Sequence, residues 1–206
     1  MDSQKLKSNL VKGIAEVALI TVGILGAFAV DDWQEEQKIQ KLTHDTLELV
    51  FSELDDNRCA LVRAHAHHSW VRERFVALGD NPTKADYESL FKLLYSKGII
   101  KPAELLSLAW ETSINTGAMR HINLQDANQI SRLYYHMNQY RDSFATLDSA
   151  MTQTSFQDLT TKQYLSGVIS GIDDMWWIEK RLLTLYSEPF NKLRAKYALV
   201  QSKCNS

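Results

Sequence analysis

Helix breakers are scarce in this chain. It has 3 prolines and 8 glycines among 206 residues, too few for the turn-rich texture of a β-sandwich or barrel. No stretch alternates apolar and polar residues long enough to predict a strand. Cysteine is almost absent, and Cys59 with Cys204 makes no disulfide framework. A Gly-rich phosphate loop, a G-x-S-x-G elbow and a C-x-x-C pair are all missing, which argues against an enzyme. An excess of charge of one sign is missing too. The 23 basic and 25 acidic residues leave a net charge of -2, which predicts no nucleic-acid partner. Long apolar runs are lacking as well, with one exception.

That exception is Gly13 to Val30, GIAEVALITVGILGAFAV. Eighteen helical residues rise roughly 27 Å, close to the hydrocarbon thickness of a bilayer. Lys5, Lys7 and Lys12 precede the run, and Asp31, Asp32, Glu35 and Glu36 follow it. Basic residues before a span and none just after predict a cytoplasmic N-terminus. Trp33 falls where an interfacial aromatic is expected. The expected layout is a cytoplasmic segment over 1–12, a transmembrane helix over 13–30, a helical stalk over 31–46 and an extracytoplasmic domain over 47–206. The expected compartment is the inner (cytoplasmic) membrane, with an extracytoplasmic (periplasmic) domain on a single-pass anchor and the lipid bilayer as a partner.

Two other readings stay open. Ala27-Phe28-Ala29 is an A-x-A pattern after a basic and an apolar stretch, so cleavage would yield a secreted helical protein. Alternatively, the run is a buried core helix, which leaves the flanking charge asymmetry unexplained. Within the run, Glu16 lies one turn after Lys12 and reaches either back to headgroup water or onto a second membrane helix. Gly23 and Ala27 form a small-xxx-small pair that lets another helix approach closely. Glu16, Gly23 and Ala27 are the candidate membrane-helix contacts.

Glu16, Val22-Gly23-Ile24, Ala27 and Asp32-Trp33-Gln34-Glu35-Glu36 resemble the N-terminal signature of an uncharacterised bacterial family of small single-pass membrane proteins. Ala109-Trp110-Glu111-Thr112, Gly117-Ala118 and Leu133-Tyr134-Tyr135 resemble its mid-chain pattern, and the likeness fades after about Tyr140. The resemblance implies a membrane protein with a helical extracytoplasmic domain of unknown function. It carries no catalytic residues.

Beyond the stalk the pattern is helical throughout. Leu47, Val50, Leu54, Leu61, Ala64, His68, Val71, Phe75 and Leu78 mark one apolar stripe, stopped by Gly79-Asp80-Asn81-Pro82. Tyr87, Leu90, Phe91, Leu94 and Tyr95 predict a helix ending at Gly98, and Pro102 is expected to restart one that Gly117 ends with positive φ. Asn123 is the expected N-cap of the next helix. Its seam is Ile130, Leu133, Met137, Tyr140, Phe144, Leu147 and Met151. A last long helix runs from about Gln157 through Leu185, and Glu188-Pro189 interrupts it. Segments 47–78, 83–117, 123–153 and 157–187 each predict about 45–50 Å of helix. The fold class is therefore all-α, a transmembrane helix continuing into an antiparallel four-helix-like bundle. The tail after Pro189 is expected to descend beside the stalk and cover Trp33, Ile39 and Leu42.

Candidate chemistry is thin. His65 and His68 are spaced to share a metal, but the Glu-x-x-His pairs of a bundle metal site are missing. No metal and no cofactor are expected. Asp55-Asp56 and Asp173-Asp174 diverge by about 100° on a helix and read as solvated faces. The predicted topology sets Cys59 and Cys204 roughly 40 Å apart, far beyond the reach of a disulfide. Trp176-Trp177 and Tyr134-Tyr135 offer one buried and one exposed aromatic each, and are the candidate contacts for a partner or an apolar ligand. The expected function is a membrane-anchored interaction or scaffold module that binds itself or another envelope protein. The alternative is a small-ligand sensor or binding domain.

Overall fold

The computed structural model describes residues 3–153, 160–200 and 204, with side chains left undescribed at 3–15, 150, 152–153 and 188–189. Helix α1 spans Ser3–Val76, α2 Lys84–Lys97, α3 Leu108–Asn115, α4 Leu124–Gln153, α5 Thr161–Leu185 and α6 Glu188–Lys196. A 3₁₀ turn at Ala118–His121 joins α3 to α4. No strand occurs among the described residues, so the chain is all-α. It divides into two compact units, residues 1–45 and 46–206.

In the first unit every large apolar side chain described between Val17 and Val30 is exposed, by 51% to 78%. Trp33 and Leu42 are exposed as well. Among the described residues no helix is long and apolar enough to cross a membrane. Gly13, Ile14 and Ala15, the first residues of the apolar run, lie outside those whose side chains are described.

The second unit is a helical bundle around two apolar clusters. Leu47, Val50, Leu54 and Leu61 of α1 pack with Ile130, Leu133, Met137 and Tyr140 of α4 and with Met175 and Leu182 of α5. Val71 packs with Tyr87, Leu90 and Leu94 of α2 and with Leu165, Val168 and Ile172 of α5. Residue pairs give the directions. His68–Glu179, Ser69–Trp176 and Arg72–Asp173 climb α1 while descending α5, so these helices are antiparallel. Glu53–Tyr134 and Asn57–Met137 climb together, so α1 and α4 are parallel. Where α4 meets α5, a Cβ on Gly171 would press on the tip of the Leu147 side chain, which would have to shift to make room.

Local chemistry sets most boundaries. Thr83 and Thr160 cap α2 and α5 with reciprocal boxes to Asp86 and Gln163. Gln125 N–H donates to Asn123 Oδ1 at the start of α4. Gly79, Gly98 and Gly117 adopt φ of 71°, 80° and 75°, the left-handed region that ends helices. The expected start of the last long helix near Gln157 lies outside the described residues; α5 begins at Thr161.

Three expectations fail. Pro102 restarts no helix, because residues 99–107 are non-helical and regular structure resumes only at Leu108. Four comparable long helices therefore give way to three long segments and a short α2 with an irregular connector. The interruption at Glu188-Pro189 does occur: α5 ends at Leu185, and Pro189 sits in the first turn of α6, where its missing N–H costs nothing. The tail does not run antiparallel to α1, as its expected course required. Phe190 stacks on Phe51, with ring centroids 4.6 Å apart, and Arg194 pairs with Asp55. From 51 to 55 on α1 and 190 to 194 on α6 the numbering rises together, so α6 runs alongside α1 in the same direction. That course brings Cys204 to Cys59, and the two form a disulfide with Cα atoms 5.3 Å apart. The predicted separation of these cysteines is wrong because it rests on the wrong direction for this last segment.

Candidate functional site

The most heavily constructed part of the bundle is the irregular connector between α2 and α3. A segment without regular structure has backbone groups that must find partners if buried. Here side chains from two helices supply them. His67 Nε2 donates to the Gly98 carbonyl at 2.8 Å. The Lys101 N–H donates to His68 Nε2 at 3.3 Å, and the Ala103 N–H to the Tyr140 hydroxyl at 2.8 Å. Asn57 takes both backbone groups of Leu106, accepting its N–H at 2.7 Å and donating to its carbonyl at 2.8 Å. Glu53 Oε2 accepts the Ala109 N–H at 2.8 Å. Successive turns of α1 thus hold the connector along its length.

Behind the connector lies a buried polar network centred on Glu179. This residue is fully buried on α5, at the position the apolar seam Ile172, Met175, Leu182 would otherwise fill. Its Oε1 accepts from His68 Nδ1 at 2.8 Å and from the Tyr140 hydroxyl at 2.9 Å. Because His68 Nε2 accepts the Lys101 N–H, the ring proton sits on Nδ1. Oε2 has no hydrogen-bond partner and lies 3.5 Å from His65 Nδ1, which is likewise unpartnered. Burial, and then the Glu179 charge, hold the Tyr140 phenol far above its ordinary value. Tyr140 therefore stays a donor to Glu179 while accepting from Ala103. Tyr134 repeats the theme. Burial first, then its 2.6 Å bond to Glu53, raise its phenol.

The aromatic candidates occupy separate places. Tyr134 is buried, stacked on Trp110 at 5.0 Å. Tyr135 is exposed, its hydroxyl accepting from Gln139. Trp176 is half-buried, stacked on His65 at 5.1 Å and donating to Ser69 at 2.8 Å. The Arg72 guanidinium lies 4.2 Å from its ring, and Lys180 stands over both Trp176 and exposed Trp177. On α1, the residues they touch are Glu53 and Ser69, which lie roughly 24 Å apart along the helix. The four do not line one pocket. Glu16, Gly23 and Ala27 are exposed on α1, and nothing approaches within 4 Å of a Cβ built on Gly23.

Among the described residues no group of three metal-ligating side chains is gathered. Asp55, expected on a solvated face, is instead 1% exposed and paired with Arg194. Its neighbour Asp56 is exposed, and Asp173 is partly buried against Arg72. Glu53, Asn57 and Glu179 escape a search for catalytic motifs. The available signal was positional: Asn57 fills the gap between Leu54 and Leu61 in the α1 stripe, and Glu179 that between Met175 and Leu182.

The connector also forms one wall of an open cleft of about 570 Å³ against α1. Asp56, Arg63, Lys101 and Glu104 surround it over a floor that includes Ala60, Ala64 and Pro102. Comparison of the chain with protein-family models, curated proteins and solved structures returned no match.

Proposed function

We propose that this chain is a membrane-tethered, extracytoplasmic helical module that acts by binding itself or another envelope protein. The observation that carries the reading is the exposed apolar surface from Val17 to Val30. Eight large side chains there are more than half exposed. Leaving each in water forgoes about 1.5–3 kcal/mol relative to burial. Eight together forgo on the order of 12–24 kcal/mol, as much as the entire stability of a typical domain. Such a surface needs cover. At about 100° per residue, positions 17, 19, 20, 22, 24, 25, 28 and 30 fall on every side of the helix, whereas a protein partner covers one stripe. A bilayer covers the whole circumference.

The orientation follows from Lys5, Lys7 and Lys12 before the span and the acidic residues after it. The Cys59–Cys204 disulfide agrees, since such bonds persist in oxidising compartments and are rare in cytoplasm. The family resemblance implies the same arrangement. Exposed Trp177 and Tyr135 are the side chains best suited to anchor a protein partner.

The test is a reporter active only outside the cytoplasm, fused after Ser206, together with the cysteine state in intact cells. The expected result is an active reporter and no free thiol at Cys59. A reporter that works only in the cytoplasmic form, with both thiols free to alkylation, overturns the orientation. Cross-linking in membranes is expected to capture a discrete partner or a homo-oligomer, and recovery of monomer alone overturns the interaction role.

A further inference from the structure

The cleft between α1 and the connector has a property that its apolar floor alone would not give. Asp56 and Arg63 of α1 face it together with Lys101 and Glu104 of the connector. Among the described residues none of these four side chains takes part in an ion pair or a side-chain hydrogen bond. Two acids and two bases thus border one cavity without neutralising each other. The wall that carries Lys101 and Glu104 is also not a loose loop. Its backbone is fastened at Lys101 by His68, at Ala103 by Tyr140 and at Leu106 by Asn57. His68, Tyr140 and Asn57 are all buried, and the first two meet on Glu179. A preformed wall binds without the entropic cost of ordering a segment.

We infer that this cleft is a binding site for a zwitterionic small molecule with an apolar body, of the class of a short apolar peptide with free termini. The ammonium end is met by Asp56 and Glu104, the carboxylate end by Arg63 and Lys101, and the body rests on Ala60, Ala64 and Pro102. The volume of about 570 Å³ lies within the usual range of small-ligand pockets. The inference is independent of the membrane tether and gives the bundle a ligand of its own.

The probe is leucylleucine, titrated calorimetrically into the full chain in detergent, alongside its N-acetylated and C-amidated forms. The expected result is saturable one-site binding of the free dipeptide. Each blocked form, having lost one charge, binds at least about tenfold more weakly. Asp56→Asn and Arg63→Gln each weaken the free dipeptide by a similar factor, whereas Arg132→Gln, an exposed charge on α4, leaves it unchanged. Failure of the free dipeptide to bind overturns the proposal. So does equal binding of a blocked form, which would mark a site for one charge only, or insensitivity to both cleft substitutions. The blocked-peptide comparison uses the unaltered protein, so it decides the matter without relying on how any variant folds.

Discussion

The two units of this chain treat water in opposite ways. In residues 17–30 the large apolar side chains are outside. In the bundle, carboxylates are inside: Glu53, Asp55 and Glu179 are each less than 9% exposed. Neither arrangement is stable by default. The difference between them is in what supplies the missing partner. Each buried carboxylate has donors aimed at it, from Tyr134 and Ala109, from Arg194, and from His68 and Tyr140. The exposed apolar residues have no such partner among the described residues of their own unit, and the proposed bilayer is what would supply one. A fold can be read for its environment by asking which of its groups it has left unmatched.

The largest expected effect breaks the outer half of this comparison. Ile20→Lys together with Ile24→Lys places two charges near the middle of the proposed span. Each costs roughly 3–4 kcal/mol of insertion free energy, counting the lost isoleucine. The double variant is expected to leave the carbonate-resistant membrane fraction, and its retention there would show that lipid is not what covers this surface.

A smaller effect tests the inner half. Glu179→Ala strips the acceptor from His68 and Tyr140, both buried, at an expected cost of about 2–4 kcal/mol. Urea denaturation followed by tryptophan fluorescence measures it, since Trp176 lies one turn away on α5. A loss below about 1 kcal/mol would mean that the network is incidental to the bundle.

The smallest effect concerns His67. Burial lowers its pKa below the ordinary 6.5, partly offset by its bond to the Gly98 carbonyl, and the Lys101 charge lowers it further. A depressed folded-state value means that the unfolded chain takes up the proton first. The contribution of His67 is therefore complete above about pH 6.5 and is lost as pH falls through the folded value. Between pH 7.5 and pH 5 the melting temperature of the full chain is expected to drop slightly more than that of His67→Gln. Identical pH profiles would remove His67 from the account.

How much of this was legible follows from which forces act locally. The apolar stripes of α1, α4 and α5 could be read because period 3.6 is written in neighbouring residues, and Ile130, Leu133, Met137 and Tyr140 are all buried as spaced. The cap at Asn123 is a local signal and was read, whereas the equally local capping boxes at Thr83 and Thr160 were not. The connector was misread because Leu105, Leu106 and Leu108 carry good helical propensity. Tertiary hydrogen bonds from Asn57 and Tyr140, 49 and 37 residues away, override it. Asp55 looked solvated for the same reason, since its partner Arg194 is 139 residues away. The direction of α6 was set by the stacking of Phe190 on Phe51, and the period of a helix says nothing about which way it docks. The cleft is assembled from two distant segments, and spacing within either one contains no trace of it.

The disulfide has a mechanical consequence. Because Cys59 is bonded to Cys204, the chain has a covalent short circuit. A pull applied between the N-terminal segment and the end of the chain passes along α1 to Cys59 and crosses directly to Cys204. The helices from α2 to α6 lie in the bypassed loop and carry none of the load. With the bond intact only the part of the bundle that α1 contributes up to Cys59 is under tension; with the bond reduced, the helices from α2 to α6 join the loaded path.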